Sequence, residues 1–128
     1  MYYEKLALEV GASVAGFTVL KPPVIRGESG IEHSFTFVAT DGPSMYTFDI
    51  YSTVGQTEIL RTYLKKMDTG ARSFVVCLSG RPTREGLDLA DSYGIELLGP
   101  SEVGDFFSGM ISRQIEAPRA ATAPVAEY

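Results

Sequence analysis

A chain of 128 residues, 45% hydrophobic and 21% charged, suits one domain that buries roughly two thirds of its unfolded surface. Aromatics at 11% exclude a disordered chain, and no apolar run approaches the ~18 residues of a membrane helix. A formal charge of −5 argues against a broadly basic nucleic-acid surface, leaving room only for a local patch.

Residues 2–10 place Tyr2, Tyr3, Leu6, Ala7 and Val10 at helical spacing, and Gly11 and Gly16 predict fraying near Ala15. Phe17 to Leu20 is a short apolar run. Lys21-Pro22-Pro23 interrupts it and Val24-Ile25-Arg26 resumes extended structure, which suits a sheet edge because proline cannot donate to a ladder. Ile31 to Thr40 alternates, with Phe35, Phe37 and Ala39 opposite Ser34, Thr36 and Val38. After the turn Asp41-Gly42-Pro43-Ser44, Met45 to Ser52 alternates again, so the two runs read as a β-hairpin.

Gln56 to Met67 carries Ile59, Leu60, Tyr63, Leu64 and Met67 at helical spacing, with Gly70 as its stop. Ser73 to Leu78 is a continuous apolar run, the pattern of a strand covered on both faces. Pro82-Thr83 opens another helix through Leu87, Leu89, Ala90 and Tyr93, and Ile95 to Leu98 is a further strand. Pro100-Ser101 is expected to cap a last helix through Phe106, Phe107 and Ile115. Residues 1–116 thus form one unit, and the Ala/Pro-rich 117–128 segment reads as a tail, disordered or held by a partner. A hairpin feeding a strand–helix–strand crossover predicts an α/β domain: a mixed sheet with helices on both faces and parallel strands at 73–78 and 95–98.

Chemistry has few anchors. No phosphate-loop or dinucleotide fingerprint is present, and the glycines read as helix stops and turns. The single Cys77 excludes an intramolecular disulfide and, in its apolar run, reads as a buried small hydrophobe. The single His33 leaves neither a zinc set nor a local triad and reads as structural. The opening Met1 to Lys5 has no basic-then-apolar signal, so the expected location is the cytoplasm. Asp49 stands out. It interrupts an apolar strand, shares a face with Tyr51, and has Thr36 as a candidate neighbour across the hairpin. One carboxylate holds a divalent cation too weakly alone, and Glu4 is a second if the first helix packs over the same face.

The order of these segments, with Tyr2-Glu4-Leu6 on the opening helix, Phe35-Phe37-Asp41-Gly42 into Phe48-Asp49-Ile50-Tyr51, then Gly70-Ala71, an apolar strand, Pro82-Thr83 and Tyr93-Gly94-Ile95, resembles the restriction-endonuclease-like (PD-(D/E)XK) superfamily. The nearest branches are type IV restriction and archaeal Holliday-junction-resolvase proteins, over residues 2 to 107. The resemblance implies a restriction-endonuclease-like mixed sheet. It places the first acid of the active site at Thr36 and the D/E-x-K at Asp49-Ile50-Tyr51, and Glu4 matches an acid on the first helix. One strand carboxylate of two remains, and tyrosine stands where the lysine belongs. Glu32 shares the face of Thr36 but lies four residues away, roughly 13 Å along a strand.

The expected function is therefore a catalytically degenerate nuclease fold acting as a binding or regulatory subunit, with no catalytic or metal site beyond the vestigial Glu4, Thr36, Asp49 and Tyr51. A divergent Mg-dependent endonuclease is the alternative, with Mg²⁺ as a cofactor only in that case, and an unrelated small-ligand module is the third reading. Arg61, Lys65, Lys66, Arg81 and Arg84 are the candidate nucleic-acid or partner contacts, balanced by Glu58, Asp68 and Glu85. A protein partner or a homodimer is expected ahead of DNA, whose binding at this net charge is weak and steeply salt-dependent.

Overall fold

The computed structural model describes residues 2–102, with side chains from Lys5 onward. The expected helix beyond Glu102, its Phe106 and Phe107, the 117–128 tail and the side chain of Glu4 lie outside the described residues.

The elements along the described residues are α1 (Tyr2–Val14), β1 (Thr18–Val19), β2 (Val24–Arg26), β3 (Glu32–Ser34), β4 (Phe37–Thr40), β5 (Met45–Tyr51), α2 (Gln56–Thr69), β6 (Arg72–Cys77), α3 (Arg84–Tyr93) and β7 (Glu96–Leu98). The main sheet has the order β1-β4-β5-β6-β7. Its first half is an antiparallel meander and its second half is parallel, β5 with β6 and β6 with β7. The expected mixed α/β architecture is what the chain adopts.

Side-chain alternation on β5 and β6 divides the core into two layers. Phe37, Phe48, Ile50, Phe74 and Val76 join Leu8, Ala12 and Ala15 of α1 on one face, where the Phe48 and Phe74 rings stack at 4.8 Å. Val75 and Cys77 join Ile59 of α2 and Ala90 of α3 on the other. Burying these side chains stabilises the sheet by roughly 1.5–3 kcal/mol for each large one. Both α2 and α3 end on glycines in the left-handed conformation, Gly70 (φ 72°) and Gly94 (φ 69°), each returning its N–H to the last turn. Thr83 caps α3 by accepting the Gly86 N–H at 3.0 Å. None of the described helices is long and apolar enough to cross a membrane.

One expectation holds and one changes. Helix α1 ends at Val14, beside the expected fraying point at Ala15, and passes through Gly11 because Ala12 and Ala15 are buried against the sheet and packing outweighs the roughly 1 kcal/mol cost of a helical glycine. The alternating run 31–40 is two strands. β3 leaves the main sheet and pairs with β2, in the register Val24–Ser34, Ile25–His33 and Arg26–Glu32. The ladder breaks at Phe35-Thr36, where the Phe35 N–H donates to the Pro23 carbonyl and side chains take the bonds that β4 and β5 would otherwise exchange.

Candidate functional site

The break sits opposite Asp49. Extending the β4–β5 register by one residue from Phe37–Phe48 sets Thr36 across from Asp49. The Thr36 N–H donates to Asp49 Oδ1 at 3.2 Å, and the Ile50 N–H donates to Thr36 Oγ1 at 3.2 Å. Two side chains thus replace ladder bonds and let the strands diverge.

The other carboxylate oxygen is also engaged. Lys65 reaches across from α2 to put Nζ 2.8 Å from Asp49 Oδ2, with the two side chains 13% and 8% exposed. The same ammonium donates to the Ser34 carbonyl at 2.9 Å and lies 4.4 Å from the centre of the Phe35 ring. A carboxylate that far out of water requires a cation, and Lys65 supplies it.

Tyr51 lies two residues on, on the same α2-facing side. Burial and the nearby Asp49 charge push its phenol above the usual tyrosine range, with the Arg61 guanidinium and the Thr62 hydroxyl pulling the other way. It stays a neutral phenol near neutral pH and brings no positive charge to Asp49. Thr62, buried on α2, makes no hydrogen bond of good geometry through its hydroxyl.

Helix α1, which carries Glu4 in its first turn, packs on the face of Phe48 and Ile50, whereas Asp49 faces α2. Glu32 is exposed on the small β2–β3 sheet opposite Arg26. Among the described residues no three His, Cys, Asp or Glu side chains come together as a metal site would need. Thr36 also lines a cleft of about 240 Å³ with Lys5, Glu9, Val19, Leu20, Lys21, Pro23 and Phe37, where Lys21 pairs with Glu9 at 3.5 Å.

The candidate basic residues have separate settings. Lys65 is turned in to Asp49, while Arg61, Arg81 and Arg84 are exposed and Lys66 is half-exposed. Arg84 lies 4.0 Å from Asp88 one helical turn on.

A second polar cluster went unread in the sequence. Asp68 at the end of α2 accepts the Ser29 N–H at 2.9 Å and the Ser29 hydroxyl at 2.6 Å, and lies 2.7 Å from His33 Nε2. These bonds, led by that of the Ser29 hydroxyl, hold its carboxyl down at about 2. Serine, histidine and aspartate meet here, but both partners point at the carboxylate. The hydroxyl is not aimed at the imidazole, so the set is a clamp rather than a nucleophile with its base. No spacing in the sequence announces this cluster; in the structure a side chain at Gly27 would overlap the Asp68 carboxylate. For Lys65 the sequence holds no signal that sets it apart from Arg61 and Lys66 on the same helix.

Cys77 is buried, its sulfur 3.3 Å from the Ser79 hydroxyl. Comparison with known protein families, curated proteins and solved structures finds no match to this chain.

Proposed function

We propose that the chain is a nuclease-like domain, akin to the restriction-endonuclease-like group, that has given up hydrolysis and acts by binding a protein partner. The observation that carries this reading is the engagement of both Asp49 oxygens inside the protein, Oδ1 by the Thr36 N–H and Oδ2 by the Lys65 ammonium. A carboxylate used in this way is an internal strut between sheet and helix. Metal-assisted phosphodiester cleavage draws its rate from charge placed at the scissile phosphate, and one neutralised carboxylate offers little. The antiparallel meander leading into a parallel crossover supports the fold half of the reading. The net charge of −5 supports a protein partner over DNA.

One observation favours a second reading, a divergent Mg-dependent endonuclease. Lys65 brings an ammonium to Asp49, where Tyr51 has none to give. That reading needs a further carboxylate on the same side of the sheet.

A cleavage assay on linear, supercoiled and branched DNA with Mg²⁺ or Mn²⁺ decides between them. No cleavage above the level of Asp49→Asn is expected. Robust cleavage that this substitution abolishes would overturn the binding reading in favour of the second.

A further inference from the structure

Strands β6 and β7 run parallel and end side by side, at Cys77 and Leu98. The carboxyl end of parallel strands is where an open α/β sheet offers room to a ligand. A cleft of about 200 Å³ lies there. Among its walls, Cys77 and Leu97 belong to the core layer of α2 and α3, and Leu98 belongs to the layer of α1. The cleft therefore wraps the end of the sheet, and Pro82 and Leu87 complete its apolar wall from the loop and helix that follow β6. Gly80 and Gly99, one after each strand, bring no side chain to fill it.

Glu102 is the one charged side chain among the described residues that line the cleft, and it is exposed at the mouth. Its Oε1 accepts the Gly99 N–H at 2.5 Å. Among the described residues no lysine, arginine or histidine pairs with it, and Oε2 takes no hydrogen bond. Arg81 is exposed in the loop after β6 but does not line the cleft.

These features select a ligand by size and by charge. An apolar cavity of about 150 Å³ holds a benzene ring, so this cleft takes one ring on a short linker or a branched alkyl group of similar bulk. At the mouth the carboxylate oxygen left over from Gly99 favours a primary ammonium, which donates a charge-assisted hydrogen bond. An anion of the same shape meets like charge there, and a neutral molecule gains the apolar contact alone.

We propose that the cleft at the carboxyl end of β6 and β7 binds a free small apolar amine, its ring or alkyl group among Leu87, Leu97 and Leu98 and its ammonium on Glu102. The site uses nothing of Asp49, so the outcome of the cleavage assay leaves it standing. Titrating the ¹⁵N-labelled full chain with 2-phenylethylamine, followed by NMR, tests it. Saturable shifts at the Leu87, Leu97 and Gly99 amides are expected at millimolar ligand, with 2-phenylethanol binding about fivefold more weakly and 3-phenylpropionate more weakly still. Glu102→Gln keeps an acceptor for the Gly99 N–H and removes the charge. It should weaken the amine about fivefold and leave the alcohol unchanged. Leu87→Trp, at a half-exposed position, should fill the cleft and abolish binding of both while the melting temperature holds. Absence of shifts at these amides, 3-phenylpropionate binding as tightly as the amine, or an amine affinity untouched by Glu102→Gln would each overturn the proposal.

Discussion

Lys65 and Asp49 are each other's reason for being buried. Asp49 sits in a strand whose neighbours Phe48 and Ile50 are core, so its carboxylate is stable only with its oxygens satisfied. Removing the cation strands the buried anion, while removing the anion frees a flexible side chain that can reach water. Lys65→Met should therefore cost about 3 kcal/mol, and Asp49→Asn nearer 1. The double variant should cost less than the sum by at least about 1 kcal/mol in a urea-unfolding cycle. Strict additivity would show that the pair contributes nothing to stability. The oddity of Asp49 was legible in the sequence, because one charge in an apolar run is visible without a structure. Its partner was not. Lys65 reads equally well as part of a solvated stripe with Arg61 and Lys66, and only the packing of α2 on the sheet turns it inward.

At the scale of elements, the β2–β3 hairpin behaves as a flap fastened to the end of α2. Glu28 N–H donates to the Asp68 carbonyl at 2.9 Å, the Asp68 carboxylate holds Ser29 and His33, and Lys65 holds the Ser34 carbonyl. The Asp68 carboxyl lies at about 2 in the fold against 3.8 when unperturbed. Between those values the unfolded chain takes up a proton that the folded chain does not, so acid favours unfolding. The contribution is fully present above the unperturbed value and lost as pH falls through the folded one. Stability should thus decline as pH drops from about 4 to about 2, and Asp68→Asn should flatten that part of the curve. An unchanged slope in the variant, followed by thermal melting, would assign the acid sensitivity to other carboxylates. The hairpin was misread as the start of one long strand because Ile31 to Thr40 alternates throughout. Alternation records which residues face apart, not which strand they pair with.

For the whole molecule, the decisive fact is that α1 and α2 lie on opposite faces of one sheet. β5 alternation assigns Asp49 to α2 while α1 covers Phe48 and Ile50. With one carboxylate already paired, millimolar Mg²⁺ should leave the melting temperature unmoved, since a ligand stabilises only the state it binds. A rise of several degrees, lost in Asp49→Asn, would reveal a divalent-cation site.

The sequence by itself determined the element types, the hairpin, the parallel crossover and the position of the anomalous acid. All of these follow from periodicity and turn chemistry acting over a few residues. Only the tertiary structure decided what that acid does. Whether a buried carboxylate holds a metal or a lysine depends on which helix lands on its face, a choice made by side-chain packing between segments far apart in the chain.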